Sequence, residues 1–406
     1  MKTPPRHLAV LLLDEDGHHS QKVAVCLGQI PGLKLQVLSN RRWVPIRFSR
    51  YVTSFQSYRP EASDAEQLEA VLRTIRRTGS QVLLPVVDSG SRFVVAHQAE
   101  LSRHIALTPL PPAPSLNLGR DKNLFCEFLT KHNLAQPPLV VLHSLEQAEA
   151  DVAHLPFPVL FKPSCGSGGN GIEAFDDVPT LLSFLRTLWR AEFPAFVQSY
   201  AHGHDVDCSV FCKNGIILAH TIQVSALPRR HPFGIDDGLE FVDDPQTRDL
   251  AARLMSALNW SGVAHLDLRR DKRDNQVKLL DFNPRYYTSL LGSLAAGVNF
   301  PYLSCLAALG IDFDPPMPAL RKFFTAEVAV KNLARKCLGR GNPIITVRES
   351  GLGYALNDPG PRAFHFAKRG VAGLKQLPTR LIRSRFRNAN ALRAPVTPSP
   401  EPVEFG

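Results

Sequence analysis

Residues 157–172 read FPVLFKPSCGSGGNGI, an apolar stretch that runs into a loop containing four glycines. The residues VLFKP before the loop and GIEAF after it have the aliphatic and aromatic composition of strands. A glycine-rich turn between two strands makes a hairpin whose backbone N–H groups can close over phosphate groups. Lys162, on the first strand, would reach in beside those phosphates. An ordinary surface hairpin fits the loop equally well, so other parts of the chain must decide.

Other phosphate-binding loops fit this stretch less well, although GSGGNG at 166–171 satisfies the pattern G-x-G-x-x-G. A dinucleotide-binding loop opens a helix, whereas IEAFDD after Gly171 lacks helical periodicity. A protein-kinase glycine loop precedes its lysine, whereas Lys162 comes four residues before the first glycine. A P-loop needs Gly-Lys followed by Ser or Thr, and this motif is missing here. The hairpin flap remains the favoured interpretation.

A second informative stretch, AHLDLRRDKRDNQVKLLDFNPR, begins at residue 264. It predicts two strands joined by a polar turn, with Asp267 on the first strand and Asp281 and Asn283 on the second. Residues i and i+2 of a strand face the same side, so Asp281 and Asn283 point together and Asp267 can lie opposite. Oxygen ligands of this kind suit Mg²⁺ beside phosphates. Arg285 would add a fixed fork for an acyl phosphate or a γ-phosphate.

Structural roles are also open for these residues. Asp281 can cap a turn, and Asn283 followed by proline is a common turn initiator. We expect the charged residues after Asp267 to be solvated, namely Arg269, Arg270 and Asp271. Considered alone, the stretch favours these structural roles. Together with the flap, it favours a site for phosphates and Mg²⁺.

Strand and helix patterns alternate over residues 1–110. HLAVLLL at 7–13 is typical of a buried parallel strand, residues 65–77 carry apolar side chains at helical spacing, and VLLPVVD at 82–88 is again strand-like. This alternation predicts a doubly wound α/β domain. At its edge, Asp88 is expected to cap the next helix, with contact to a substrate across the cleft as the alternative.

A proline-rich segment, TPLPPAPS at 108–115, predicts a stiff linker after this domain. Beyond it, helical spacing over 120–134 and a strand at 158–161 are followed by the runs FVQSY, DVDCSVF and IILAHTIQ, which are typical of antiparallel sheet. The predicted class is therefore α/β and α+β. We divide the chain into the α/β domain (1–110), a small lobe with the flap (111–195), a large lobe with the metal site (196–315), a C-terminal extension (316–360) and a basic, proline-rich tail (361–406).

The net charge of +10 is concentrated in the tail. Residues 361–400 hold nine Lys and Arg and no acidic residue, whereas 38 basic and 35 acidic residues precede them. A nearly neutral body without aromatic residues interleaved among basic ones argues against nucleic-acid binding. Leucines recur at helical spacing among the basic residues of 373–391, which allows a basic amphipathic helix that contacts an anionic membrane or an acidic partner, or a solvated extension.

The seven cysteines show neither C-x-x-C nor Cys/His spacing, so we expect reduced thiols rather than a disulfide framework or a zinc site. The apolar run at 8–13 is too short for a signal peptide or a membrane span. We therefore expect a cytoplasmic protein, with peripheral membrane contact only through the tail. The oligomeric state does not follow from the sequence.

The chain resembles the ATP-grasp carboxylate–amine ligases over residues 1–310. DK at 121–122, FPVLFKPSCGSGGNGI at 157–172, FVQSYAHGHDVDCSV at 196–210 and LLDFNPR at 279–285 stand in the order typical of that family. The separation of 14 residues between Asp267 and Asp281 is also similar to the family's metal-ligand spacing. The resemblance implies an N-terminal pre-ATP-grasp domain and two lobes with ATP between them.

The resemblance also implies a role for each matching residue. Arg285 and Lys162 are implied as catalytic residues, with Arg285 as the acyl-phosphate clamp. Asp205 is implied to hold the ribose. The metal ligands, for two Mg²⁺ ions, are implied to be Asp267, Asp281 and Asn283. The residues implied to bind ATP are Lys122 and Lys162 at the phosphates, Ser167, Gly168, Gly169 and Gly171 in the flap, and Gln198, Ser199, Tyr200 and Ala201 at the adenine.

The reaction implied is the ATP-dependent joining of a small-molecule carboxylate to an amine through an acyl phosphate. Arg229, Arg230 and His231 lie in a polar loop that can bind a substrate carboxylate or be a solvated charged loop. The alternative function is a catalytically reduced ATP-binding regulator of the same fold. The family more often has Glu at position 281, so the shorter Asp281 keeps this alternative open.

Overall fold

The computed structural model describes residues 7–15, 17–164, 171–190, 192–227, 236–318, 322–338 and 345–368. They form one parallel and two mainly antiparallel sheets with flanking helices, which confirms the predicted α/β and α+β class. The basic tail segment 373–391 lies outside the described residues. Among the described residues, no helix combines the length and the apolar character needed to cross a bilayer.

The N-terminal domain is built on a five-stranded parallel sheet in the order β3-β2-β1-β4-β5. Its central strand carries the aliphatic run Val10–Leu13, which is almost fully buried because helices cover both faces of the sheet. The strands are β1 (Ala9–Asp14), β2 (Lys34–Ser39), β3 (Val52–Ser57), β4 (Val82–Pro85) and β5 (Ala106–Leu107). The helices are α1 (His18–Gly28), α2 (Asp64–Thr78), α3 (Asp88–Ala96) and α4 (Gln98–Leu101), with a short 3-10 helix at Pro45–Phe48.

Two helices connect this domain to the lobes, α5 (Ala113–Leu118) and α6 (Lys122–Lys131). The predicted stiff linker is shorter than expected, because α5 already begins at Ala113. Pro114 lies in the first turn of α5, where its missing N–H has no helical partner to lose. Ser115 Oγ donates to the carbonyl of Leu258 at 2.8 Å and fixes α5 on the large lobe.

The small lobe is a four-stranded sheet in the order β6-β9-β7-β8. Its elements are β6 (Leu139–Leu142), α7 (Leu145–Asp151), a 3-10 turn at Val152–His154, β7 (Val159–Pro163), β8 (Glu173–Phe175), α8 (Val178–Leu188) and β9 (Ala195–Ser199). The pairing of β7 with β8 is the strand pair predicted on either side of the glycine loop. β9 pairs with β6 and β7, so FVQSY belongs to this sheet and not with the next two runs.

The large lobe is a six-stranded sheet in the order β14-β13-β10-β11-β12-β15. Its strands are β10 (Gly203–Lys213), β11 (Ile216–Ser225), β12 (Gly238–Val242), β13 (Gly262–Asp271), β14 (Val277–Asn283) and β15 (Lys322–Phe324). The helices are α9 (Pro245–Ala257), α10 (Leu290–Ala295), α11 (Phe300–Ala308), α12 (Ala326–Cys337) and α13 (Gly351–Asn357). β15 comes after the predicted boundary at 315 and is the edge strand of this sheet.

The central strands of the large sheet separate an apolar face from a polar one. On β10, Val206, Cys208 and Val210 belong to a buried core that also contains residues of α9. Asp205 and Asp207 alternate with them and therefore face the opposite side. Because neighbouring strands repeat this alternation, the polar side chains of β10, β13 and β14 lie together on one surface.

Candidate functional site

The polar face of the large sheet meets helix α6 through an ion pair. Lys122 is the first residue of α6, and its Nζ lies 2.9 Å from Asp281 Oδ2 on β14. A cation at a helix N-terminus interacts unfavourably with the helix dipole. A lysine with a purely structural role is therefore not expected at this position. Asp121 caps the same helix and accepts a hydrogen bond from Ser164 Oγ at 2.7 Å, which ties α6 to the end of β7.

Lys162 lies on β7 and extends along the small-lobe sheet. Its Nζ donates to Gln198 Oε1 at 2.7 Å and lies 5.8 Å from the centre of the Phe196 ring. Burial lowers the pKa of Lys162 to about 8. The positive charge of Lys122 also lowers this pKa, whereas the negative charge of Asp281 raises it. A buried ammonium held by one neutral amide is a group that an anionic ligand would stabilise.

The predicted adenine-contacting residues form the end of β9 and the turn after it. Gln198 and Ser199 are 2% and 1% exposed, and the backbone N–H of Ser199 donates to Pro138 O at 2.8 Å. The Tyr200 ring stacks under the guanidinium of Arg269, whose Cζ lies 4.8 Å from the ring centre. Gln198–Ala201 therefore join the two lobes directly beside Lys162.

The flap lies mostly outside the described residues, including Ser167, Gly168 and Gly169. Its last glycine, Gly171, has a φ of 78°, a left-handed conformation that glycine adopts without strain. The predicted substrate loop with Arg229, Arg230 and His231 also lies outside the described residues.

The three charged residues after Asp267 are buried or half-buried, so the expectation that they are solvated is wrong. Arg269 Nε lies 3.4 Å from Asp205 Oδ1, with both side chains less than one-fifth exposed. Arg270 pairs with Asp244. Asp271 is fully buried and accepts hydrogen bonds from Arg273 and Lys278, which hold its pKa below the usual range. The residues pack against Tyr200 and the β13–β14 turn, which a sequence pattern does not reveal.

Two of the predicted metal ligands lie side by side on the polar face. Asn283 Nδ2 donates to Asp267 Oδ2 at 3.3 Å, and Asn283 Oδ1 accepts from Arg285 at 3.1 Å. The strand register places Asp281 directly opposite Asp267. Two carboxylates and an amide oxygen form a hard-oxygen donor set that fits Mg²⁺, and the Lys122 ammonium beside Asp281 offsets its charge in this structure.

Two further residues of this face were missed in the sequence. Asp207, His265 and Asp267 each offer a ligand atom within 4.8 Å of the other two. His265 Nε2 lies 3.2 Å from Asp267 Oδ1, and its Nδ1 lies 2.9 Å from Ser209 Oγ. The i, i+2 spacing that paired Asp281 with Asn283 would also have paired His265 with Asp267 and Asp205 with Asp207.

The N-terminal domain contacts the site at Arg285, which follows β14 of the large lobe. Arg285 Nη1 lies 3.1 Å from His19 Nε2 at the start of α1. Asp88 does not cap α3 with its side chain, so the favoured expectation for it is wrong. Its Oδ1 is buried and has no hydrogen-bond partner among the described residues. Burial raises its pKa, while the charges of Arg285, Arg92 and Arg120 act in the opposite direction.

The chain is similar to several known proteins. The family model "ATP-grasp in the biosynthetic pathway with Ter operon" matches residues 203–330. The chain is 26% identical over 187 residues to the carbamoyl phosphate synthase large chain of Archaeoglobus fulgidus, which covers 42% of this chain and 16% of that protein. It is 22% identical over 336 residues to the multifunctional protein URA2 of Saccharomyces cerevisiae, covering 76% of this chain and 15% of that protein. The chain thus spans about one-sixth of the length of these curated relatives.

Solved structures give the same result for the fold. N5-carboxyaminoimidazole synthetase from Staphylococcus aureus, complexed with ADP, superposes with a TM-score of 0.62 at 14% identity over 81% of this chain and 86% of that one. L-amino acid ligase from Bacillus licheniformis superposes with a TM-score of 0.55 at 17% identity over 75% of each chain. The match of residues 203–330 to an ATP-grasp family model confirms the resemblance, and the superpositions show that the chain shares the fold of these solved structures.

Proposed function

We propose that the protein is an ATP-dependent ligase that joins a small-molecule carboxylate to an amine through an acyl phosphate. The observation that carries this proposal is the juxtaposition of Lys122 with Asp281 at 2.9 Å, beside Asp267, Asn283 and Arg285. This arrangement gives cations for phosphate groups and oxygen ligands for Mg²⁺ at one place. The relatives named above are a carbamoyl phosphate synthase, a carboxyaminoimidazole synthetase and an amino acid ligase, which agrees with carboxylate activation.

In this proposal the nucleotide binds between the small lobe and the polar face of the large lobe. Gln198–Ala201 contact the adenine, and Asp205 holds the ribose after exchanging part of its contact with Arg269. Lys162 and Lys122 neutralise the phosphates, and Ser167, Gly168, Gly169 and Gly171 cover them with backbone N–H groups. The low pKa of Lys162 supports this role, because a triphosphate would restore the charge that burial disfavours.

The large lobe holds the reacting groups. Asp267, Asp281 and Asn283 would hold Mg²⁺, which supplies charge neutralisation at the transferring phosphoryl group. A substrate carboxylate oxygen attacks the γ-phosphorus, the bond to the β-phosphate oxygen breaks, and ADP leaves. An amine then attacks the acyl carbon, phosphate leaves, and the nitrogen loses a proton. Arg285 supplies a fixed guanidinium, held by Asn283 and His19, for the acyl phosphate.

The proposal is tested by screening the full-length protein with Mg-ATP against pools of amino acids and other carboxylates, with and without added amines. We expect ADP and phosphate release that depends on a carboxylate pool. Hydroxylamine should trap the activated carboxylate as a hydroxamate, which distinguishes acyl-phosphate formation from simple ATP hydrolysis. Lys162→Met is the matched inactive control. ATP binding without carboxylate-dependent ADP release from any pool would instead support the regulator alternative.

A further inference from the structure

The two carboxylate oxygens of Asp267 point toward different partners. Oδ2 accepts from Asn283 on β14, whereas Oδ1 lies 3.2 Å from His265 Nε2. On the His265 side, Asp207 of β10 brings a second carboxylate oxygen within 4.8 Å of both other ligand atoms. Asp267 is therefore shared by the predicted magnesium ligands and a second cluster, which it forms with His265 and Asp207.

The histidine of this cluster is held in a way that suits metal binding. Residue His265 is 9% exposed, and its ring stacks on Tyr287 with the ring centres 4.7 Å apart. Nδ1 lies within hydrogen-bond distance of Ser209 Oγ, and Nε2 faces Asp267. In the tautomer that a metal would require, the proton is on Nδ1, Ser209 Oγ accepts it, and the Nε2 lone pair is available to the ion. Metal-bound histidines commonly donate their second ring nitrogen in this manner, because it fixes the tautomer and the ring orientation.

The size and donor set of the cluster identify a class of ion. Three ligands bound at about 2.1 Å from one ion lie at most about 4.2 Å apart, so a shift of a few tenths of an ångström closes the cluster around an ion. Mg²⁺ prefers oxygen ligands, whereas an imidazole nitrogen favours first-row transition metals. We propose that Asp207, His265 and Asp267 bind a first-row transition-metal dication, for which Mn²⁺ is the spectroscopic probe, on the side of Asp267 away from Asn283.

The test is a titration of the full-length protein with Mn²⁺ in the absence of nucleotide, followed by electron paramagnetic resonance of free Mn²⁺ and by calorimetry. We expect one Mn²⁺ site that a tenfold excess of Mg²⁺ does not empty. His265→Ala should weaken Mn²⁺ binding at least tenfold. His265→Asp should keep a cation site but shift its preference from Mn²⁺ toward Mg²⁺, because all three ligands are then oxygen.

His220→Ala is the matched control, since His220 lies on the neighbouring strand β11 and alternation places it on the other face of the sheet. It should bind Mn²⁺ as the wild type does. Asp207→Asn is a second variant that should also weaken Mn²⁺ binding tenfold, and it serves if His265→Ala does not fold. Absence of nucleotide-free Mn²⁺ binding, or equal Mn²⁺ affinity in folded His265→Ala, Asp207→Asn and wild type, overturns the inference.

The inference shares Asp267 with the proposed function, but the two fail separately. Mn²⁺ binding without nucleotide does not depend on any carboxylate or amine substrate. A wild type that binds Mn²⁺ but shows no ADP release in the screen supports the metal site and contradicts the ligase. Carboxylate-dependent ADP release in a protein without nucleotide-free Mn²⁺ binding supports the ligase and contradicts the metal site.

Discussion

Lys162 lies in an environment that would be stabilised by a bound anion. Its ammonium is partly buried and donates to the neutral Gln198 amide at 2.7 Å. Lys162→Met keeps most of the packing and removes the charge. We expect ATP to bind about 10 to 100 times more weakly, since a hydrogen bond to a charged group contributes about 1.5–3 kcal/mol. Calorimetry with Mg-ATP measures this, with Lys131→Met on the exposed part of α6 as the control.

The lowered pKa of Lys162 also predicts a proton linkage. Burial places this pKa at about 8 in the free protein, and a nearby triphosphate raises it. ATP binding between about pH 8 and 9 should therefore take up protons. Binding enthalpies measured in two buffers of different ionisation enthalpy give the number of protons, which should fall to zero in Lys162→Met. Equal proton uptake in both proteins would assign the linkage to another group.

The lowered pKa of Lys162 also makes the free energy of unfolding depend on pH. Because the folded pKa lies below the ordinary lysine value of 10.5, the unfolded chain binds more protons than the folded one between those two values. The contribution of Lys162 to the free energy of unfolding therefore rises with pH through about pH 8 to 10. Comparing the pH dependence of unfolding in wild type and Lys162→Met isolates this contribution, since the variant should lack that rise.

Some residues of the site could be predicted and others could not, for different reasons. The positions of Asp267, Asp281 and Asn283 on adjacent strands follow from i, i+2 spacing and one polar turn, and the register bears this out. His265 and Asp207 obey the same rule and could have been found. The ion pairs of Arg269 and Arg270 could not, because their partners Asp205 and Asp244 are remote in the sequence.

Among the elements, the β13–β14 hairpin carries most of the site and is held by a buried carboxylate. Asp271 is 0% exposed and accepts from Arg273 and Lys278 at 2.8 and 2.9 Å. Asp271→Asn removes the buried charge of this network, so that Arg273 loses its carboxylate partner and Lys278 keeps only Asp274. We expect a loss of about 3 kcal/mol in the free energy of unfolding. Urea unfolding measures it, with the half-exposed Asp274→Asn of the same turn as a control that should lose less than about 1 kcal/mol.

The pH dependence of this hairpin has the opposite sign to that of Lys162. The pKa of Asp271 is lowered by hydrogen bonds from Arg273 and Lys278, so its stabilisation is present above the unfolded pKa of about 3.9 and is lost as pH falls below it. Asp271→Asn should therefore flatten the acid limb of the stability curve. An unchanged acid limb would show that another carboxylate governs it.

At the level of elements, sequence reasoning failed where sequence neighbours belong to different sheets. FVQSY and DVDCSVF are separated by only four residues, so they were grouped as one antiparallel unit. The structure instead ends β9 in the small lobe and starts β10 in the large one. Gly203 marks this change, because a Cβ there would lie 1.9 Å from the carbonyl oxygen of Arg270. A close backbone approach of this kind depends on strand β13, which is remote in the sequence.

In the whole molecule, the N-terminal domain and the large lobe meet at Arg285. The N-terminal domain contacts it through His19, and the backbone N–H of Tyr286 donates to Val86 O at the end of β4. Asn299 Nδ2 donates to Cys26 O at 2.8 Å, which adds a second link between α1 and the large lobe. The carboxyl edge of the parallel sheet therefore faces Arg285. Ligands usually bind at this edge in open α/β sheets.

The C-terminal segment of the described chain closes back on this N-terminal domain. Asp358 is 2% exposed and accepts from Ser49 Oγ at 2.6 Å and from the backbone N–H of Arg50 at 2.9 Å. The Phe364 ring stacks on Phe48 with the ring centres 4.8 Å apart. The described residues up to 368 are thus part of the folded body, although periodicity in the sequence weakens beyond 310.

The contact at Asp358 leads us to expect that the chain up to Lys368 folds and binds ATP without the tail. A chain ending at Lys368 should keep the ATP affinity and the unfolding free energy of the full-length protein, because every residue proposed to bind ATP, metal or acyl phosphate lies at or before Arg285. Asp358→Ala should lower the unfolding free energy by about 1–3 kcal/mol, since Ser49 and Arg50 N lose their buried acceptor. Urea unfolding and Mg-ATP calorimetry compare the two, with the exposed Asp314→Ala as the control. Loss of ATP affinity in the shortened chain would show that residues after 368 take part in the site. Unchanged stability of Asp358→Ala would show that the contact of Asp358 with Ser49 and Arg50 does not stabilise the fold.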